Sequence, residues 1–293
     1  MKKKILITGI SSALMRKLCL LIDPSGYEII GISRHPESVR LQNIQVLKGD
    51  LSAIHELAPY FRDCYMVIHG AALTHSRSSK AYFKVNLEAT KKLVDMAREN
   101  GVLRFVFISS NTAGLKSGAY GLTKHLAEEY IRDHANRWTI LRLSEIYGGD
   151  KSEGIEKTIH VTIDKSMVFC PVGVPSRFHP IHMDDAVRII HHRIFSEERG
   201  NAISVINGPE GFSYREIITL IERLMGKRIR VIPLGKRTMM LIKLLARILP
   251  VNVGLVPDQV DRLYAAKHFE VPEGSLMKLE IYLMKLIVEA KTN

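Results

Sequence analysis

The sequence predicts an α/β fold, a doubly wound parallel sheet with a smaller C-terminal lobe, and three observations carry the prediction. Short runs rich in β-branched residues alternate with segments of helical apolar spacing through the first half of the chain. The first run, Lys4 to Thr8, passes directly into Gly9, so the helix that follows would present its N-terminus where a pyrophosphate can be held. Further on, Tyr120 and Lys124 stand four residues apart in a helical segment and share a face, which lets an ammonium lie near a phenol. An unperturbed phenol titrates near ~10, and a fixed positive charge favours the phenolate, so the pair is a candidate for proton exchange at neutral pH.

Composition bounds the rest. The chain has 293 residues, 46% of them hydrophobic, enough for one large α/β domain or a main domain with a lobe. Cys19, Cys64 and Cys170 lie far apart with no C-x-x-C spacing and read as reduced thiols of a cytoplasmic protein. Thr8-Gly9 cuts the first apolar run too soon for a signal-peptide core, and no stretch reaches the roughly 18 uncharged apolar residues of a membrane-spanning helix. A formal charge of +12 and a pI of about 9.6 favour an anionic partner. The basic residues are scattered, without the aromatic-interleaved patch or arginine-rich arm of a nucleic-acid reader, so no nucleic-acid partner is expected.

Taken in order, Ser11 to Ile22 carries Leu14, Leu18, Leu21 and Ile22 at helical spacing, and Asp23-Pro24-Ser25-Gly26 turns into a second strand, Glu28 to Ser33. A short strand from Ile44 to Leu47 ends at Gly49-Asp50-Leu51, and a helical segment runs on through Phe61. The strand Met66 to His69 is followed by Gly70-Ala71-Ala72, small residues that let a flat ligand or a neighbouring backbone approach closely. A helix from about Ser79 to Glu99 closes at Asn100-Gly101, a C-cap signal. The strand Arg104 to Ile108 reaches Ser109-Ser110, and the tyrosine helix begins near Tyr120. Ile140 to Leu143 reads as the next strand, followed by a helix over Ile155 to Lys165 and another over Val187 to Phe195. His191 and His192 on the latter point to different faces and so are no metal pair. Asn201 to Asn207 reads as a strand, and Ser213 with Glu216 opens a capped helix through Met225. Arg237 to Leu249 is a basic amphipathic helix, which fits either a lobe helix packed over a cleft or peripheral contact with a membrane surface. A final helix is expected over Ser275 to Ala290.

These motifs, in this order, resemble an extended short-chain dehydrogenase/reductase of the NAD-dependent epimerase/dehydratase family, whose members modify nucleotide-activated sugars. The resemblance covers about residues 4 to 270 and rests on Thr8-Gly9, Gly49-Asp50-Leu51, His69-Gly70-Ala71-Ala72, Val85-Asn86 with Ala89-Thr90, Ser109-Ser110, Tyr120 with Lys124, Leu141-Arg142-Leu143 with Tyr147-Gly148, and Arg177 before His179 to Asp185. It implies a Rossmann-type dinucleotide-binding domain over residues 1–146, rejoined by 178–206, with 147–177 and 207–293 as a substrate-binding lobe. It further implies hydride transfer at a sugar carbon, as 4-epimerisation or reduction of a 4-keto sugar. By resemblance, Ser110 would bond the reacting oxygen, Tyr120 would be the acid/base, and Lys124 would assist it while anchoring the nicotinamide ribose. Thr8, Gly9, Ser11, Ser12, Ser33, Arg34, Asp50, Leu51, Gly70, Ala71, Ala72 and Asn86 would complete the cofactor site. Thr74, Thr112 and Arg177 would meet the substrate, the arginine at its diphosphate. No metal is implied, and a homodimer is.

Several positions depart from the family pattern. Of T-G-x-x-G-x-x-G only the first glycine is kept, with Ser12 and Met15 in place of the other two. Ser33-Arg34 ends the second strand where an NAD enzyme usually has an acid, so NADP is favoured, with NAD second. Only nine residues separate Ser110 from Tyr120, a shortened pocket wall that Gly114 and Gly118 leave free to close. Alternative readings are a non-catalytic dinucleotide-binding or scaffold protein that relaxed the glycine turn, and a ketoreductase acting on a non-sugar carbonyl.

Overall fold

The computed structural model describes residues 2–149, 153–195, 200–248, 257–272 and 274–292. They fall into two compact units, one of residues 1–142 and 187–204, the other of 143–186 and 205–293.

In chain order the first unit contains β1 (Lys3–Thr8), α1 (Ala13–Leu21), β2 (Tyr27–Ser33), β3 (Gln45–Lys48), α2 (Ala58–Phe61), β4 (Cys64–His69), α3 (Ser79–Tyr82), α4 (Ala89–Glu99), β5 (Arg104–Ser110), α5 (Gly118–His134) and β6 (Arg137–Leu143). The second opens with β7 (Ile146–Tyr147), α6 (Gly154–Asp164), β8 (Met167–Pro171) and β9 (Ile181–His182). The chain returns through α7 (Met183–Phe195) and β10 (Ala202–Ile206). It finishes in α8 (Tyr214–Met225), β11 (Arg230–Leu234), α9 (Lys236–Ile248), α10 (Pro257–Leu263) and α11 (Leu279–Thr292).

The main sheet has seven strands in the order β10-β6-β5-β4-β1-β2-β3. Parallel pairing sets Thr8 opposite His69, and His69 opposite Phe107. β1 is flanked by β2 and β4, so the chain leaves it in one direction and resumes beyond it in the other. That topological switch opens a crevice at the carboxyl ends of β1 and β4, which is where parallel sheets take ligands. Leu6, Val67, Phe105, Phe107 and Ile140 fill one sheet face against Leu93, Val94, Ala127 and Ile131 of α4 and α5.

Two helical segments differ from the sequence reading. Residues Leu51–Leu57 form a 3₁₀ stretch kinked at Ala53 (φ −112, ψ 46) before α2. The single helix expected over Ser79 to Glu99 is α3, a π turn over Phe83–Glu88, and α4. That π turn contains Asn86, whose side chain is bonded across to Leu73, so a tertiary contact accompanies the break in helical spacing there.

In the second unit, α6, α8 and α11 enclose Ile159, Cys170, Ile217, Ile221, Leu283 and Ile287. The capping box at Ser213 and Glu216 forms as its sequence requires. β8 and β11 pair in parallel, two strands too short and mixed in composition to stand out in the sequence. α11 starts at Leu279 rather than Ser275, because Met277 is held outside the helix. Its carbonyl accepts from the Tyr147 hydroxyl at 2.9 Å and its N–H donates to Asp185 at 2.7 Å. α9 follows the amphipathic pattern, although Leu249 lies outside the described residues.

Candidate active site

The crevice between β1 and β4 begins with two turns built against each other. Gly9 has φ +76, and a Cβ there would stand 2.6 Å from the Ala71 nitrogen, so only glycine permits both the turn and the approach. Ser12 caps α1, its hydroxyl accepting from the Met15 N–H at 3.3 Å. Met15 is buried and turns onto Gly70, where a Cβ would meet its sulfur at 2.6 Å. The bulk absent from Gly70 makes room for the side chain added at Met15. The departure that most threatened the cofactor turn is therefore matched across the crevice.

His69 ties these turns to the helices. It is fully buried, with Nδ1 2.6 Å from the Thr8 hydroxyl and Nε2 2.8 Å from the Thr90 hydroxyl. Burial pushes its pKa down to about 3, so the ring is neutral and one of its nitrogens accepts. Thr90 passes the chain of bonds to the Asn86 carbonyl at 2.8 Å. The Asn86 amide clamps the backbone of Leu73, accepting from its N–H at 2.7 Å and donating to its carbonyl at 3.0 Å. Asn86 thus holds the Gly70 to Thr74 segment in place by its main chain. The Thr74 hydroxyl is 3.0 Å from Nδ1 of His75.

The segment bearing Ser110, Tyr120 and Lys124 is set by β5 and α5. α5 begins at Gly118, two residues earlier than its sequence spacing suggests, which puts Tyr120 in the first turn of the helix. Lys124 is buried one turn on, donating to the Ile108 carbonyl at 2.8 Å with its ammonium 4.3 Å from the centre of the Phe107 ring. Burial pulls its pKa down to about 7, against the opposing pull of Glu128. The Ser110 and Thr112 hydroxyls lie 2.9 Å apart. The short 111–117 loop folds back onto α5: Gly114 donates to the Gly121 carbonyl at 3.1 Å, and a Cβ on Gly121 would fall 2.4 Å from the Thr112 carbonyl. Gly121 thereby lets the Thr112 main chain pack against the turn that bears Tyr120. The shortened wall is a closed loop.

Glu128, Arg142 and Ser109 form a buried brace that sequence reasoning did not single out. Glu128 accepts from the Ser109 hydroxyl at 2.5 Å and from Arg142 through Nε and a terminal nitrogen at 3.0 and 2.5 Å. A bidentate guanidinium neutralises the carboxylate and locks α5 to β5 and β6. The only sequence signal was spacing, since Glu128 stands one turn beyond Lys124.

At the end of β2, the Ser33 hydroxyl accepts from the His35 N–H at 3.1 Å, and Arg34 is exposed. Asp50 accepts from the Ser52 N–H at 2.9 Å, and that bond, helped by the nearby Arg34 charge, holds its carboxyl below the usual range. Leu51 packs against the main core. In the second unit, Arg177 donates to the Gly211 carbonyl at 2.6 Å and pairs with Glu216 at 2.7 Å. Among the described residues no group of three or more His, Cys, Asp or Glu is disposed to hold a metal ion.

The first turn fits a dinucleotide phosphate. α1 has no acidic residue in its first turn, and its leading N–H groups have no intrahelical partner. Fold and topology define a Rossmann-type doubly wound protein. Residues 5–207 match the profile of the NAD dependent epimerase/dehydratase family, and the chain belongs to that family.

Two relatives show how widely such chains diverge. The chain is 19% identical to the NADH-ubiquinone oxidoreductase 40 kDa subunit of Neurospora crassa over 67% of its length, and spans about half of that relative, 52%. It is 25% identical to the ceramide reductase of Caulobacter vibrioides, over 78% of this chain and 72% of that one. Among solved structures, the UDP-glucuronic acid 4-epimerase of Bacillus cereus, in complex with UDP-glucuronic acid and NAD, superposes with a TM-score of 0.67. Their identity is 21%, and the match covers 79% of this chain and 86% of that one. Structures of this fold hold NAD in some cases and NADP in others.

Proposed function

We propose that the protein is an NADP-dependent oxidoreductase, or an epimerase using the same dinucleotide site, acting at carbon 4 of a nucleotide-activated sugar. The observation that carries this reading is the end of β5 and start of α5. There Tyr120 stands in a helical first turn, Lys124 is buried one turn on, and the Ser110 and Thr112 hydroxyls lie 2.9 Å apart on the loop whose Thr112 carbonyl packs at Gly121.

In this reading Thr8, Gly9, Ser11, Ser12 and the first N–H groups of α1 hold the pyrophosphate, and Gly70, Ala71 and Ala72 line the crevice beside it. Asp50 and Leu51 border the adenine, and Arg34 pairs with a 2′-phosphate. The bound nicotinamide supplies or accepts the hydride. Ser110, oriented by Thr112, donates a hydrogen bond to the reacting oxygen as charge grows on it. Tyr120 gives or takes the proton at its hydroxyl. Lys124, when protonated, stabilises the phenolate left behind. Asn86 and His69 act through the main chain of the crevice and not on the substrate. The second unit supplies the substrate lobe, and the family's dimer is carried over with the fold.

The test is direct. Purified protein is given a UDP-sugar without cofactor, and a 4-keto nucleotide sugar with NADPH, while epimer and reduced product are followed by nuclear magnetic resonance. Tyr120→Phe should lower turnover by roughly a hundredfold or more while dinucleotide binding is kept. If neither NAD(H) nor NADP(H) binds, the reading fails and the non-catalytic alternative stands.

A second reading has its own support. Arg177 is engaged by Gly211 and Glu216 within its own unit, and a relative is a ceramide reductase, so reduction of a non-sugar carbonyl competes with the sugar reading. Arg177→Ala should raise the KM for a nucleotide sugar roughly tenfold and leave a lipid or steroid-like ketone unaffected.

A further inference from the structure

Outside the crevice, α9 combines two features that its own packing does not explain. One side is seated: Met239 and Ala246 are buried, and Met240 and Ile242 pack with Val260 and Leu263 of α10. The other side presents Leu241, Leu244 and Leu245, which are 55%, 52% and 44% exposed. Spacing of three and four residues places these leucines on one stripe of the helix. Lone exposed leucines are ordinary, but three in a row on one helical face mark a surface that meets something apolar.

The charge says what kind of surface. α9 carries Lys236, Arg237, Lys243 and Arg247 and no acidic residue. Lys243 is answered internally by an ion pair with Asp261 of α10. Lys236 and Arg237 are exposed in the first turn, where the helix dipole already presents positive charge. Cations there oppose the helix dipole, and an external anionic layer relieves that opposition. The chain as a whole carries +12.

We propose that the outer face of α9 docks on an anionic lipid bilayer, lying in the plane of the headgroups with Leu241, Leu244 and Leu245 inserted among the acyl chains. Lys236 and Arg237 sit at headgroup level beside them. A helix of 13 residues suits an in-plane position, and no helix among the described residues is long and apolar enough to cross a membrane. A second copy of this chain is a poorer occupant, because a two-fold contact would set the two cationic helices against each other. The proposal does not depend on which carbonyl the crevice reduces.

The experiment is co-sedimentation of the full chain with vesicles of phosphatidylcholine, with and without phosphatidylglycerol, at low and high salt. Binding is expected to the anionic vesicles only, weakening as salt rises. Leu241→Gln with Leu244→Gln, and separately Lys236→Glu with Arg237→Glu, should each weaken it roughly tenfold or more. Circular dichroism and dinucleotide binding check that both variants fold. Equal binding to neutral vesicles, no binding to either, or unaltered binding by the leucine variant overturns the proposal. So does a stable dimer that the leucine variant dissociates, since the face would then belong to a second copy.

Discussion

Lys124 shows how one residue's environment sets its behaviour. Sequence spacing placed it beside Tyr120 as a fixed cation, but burial against Phe107 draws its pKa from 10.5 to about 7, so in the ligand-free protein the charge titrates near neutrality. The sign of the consequence follows from linkage. Between the folded value and the unfolded one, the unfolded chain holds a proton that the native chain has released, so unfolding becomes less favourable as pH rises. Stability of the ligand-free protein should therefore climb from about pH 7 toward about pH 9, and urea unfolding of Lys124→Met should lack that rise. The window closes near the ordinary thiol range, because Cys19 and Cys64 are pushed by burial from 9.0 to about 12 and about 11, which reverses the slope above it. The Tyr120–Lys124 pair was legible because helical spacing is local. Glu128 and Arg142 were not, since each owes its role to a partner brought near only by the packing of α5 on β5 and β6.

At the scale of elements, the crevice is a junction between the turn after β1 and the turn after β4. The alternation of strand and helix was readable in the sequence, as were the Thr8-Gly9 and Gly70-Ala71-Ala72 turns that end these strands. The compensation between Met15 and Gly70 was not, because it joins residues of two turns that only parallel pairing sets side by side. The π turn at Asn86 escaped for the same reason. Pairing of Met15 with Gly70 has a measurable consequence. Gly70→Ala should destabilise the protein by about 1–3 kcal/mol and weaken dinucleotide binding, because the methyl meets the methionine sulfur. Met15→Ala should cost about 2–5 kcal/mol as a cavity. The double variant should be better than the sum by about 0.5–3 kcal/mol, which a denaturation cycle measures. Strict additivity would show that the two turns do not share the space.

For the whole molecule, the question is which dinucleotide the first unit is built to hold. Any ligand that binds only the native state stabilises it by about 2.7 kcal/mol at a hundredfold excess over its Kd, so melting temperature reports preference without requiring a known substrate. Arg34 is exposed at the end of β2, close enough to Asp50 for its charge to be felt there, and no acidic side chain follows Ser33 until Glu37. A guanidinium bonding a 2′-phosphate is worth about 1.5–3 kcal/mol, roughly ten- to a hundredfold in affinity. NADPH should accordingly raise the melting temperature more than NADH at equal concentration. Arg34→Ala should erase the difference by weakening NADPH alone, and Ser33→Asp with Arg34→Ala should invert it by offering the ribose a carboxylate. A larger shift with NADH in the unaltered protein, or one untouched by Arg34→Ala, would overturn the NADP assignment and favour an epimerase that retains NAD.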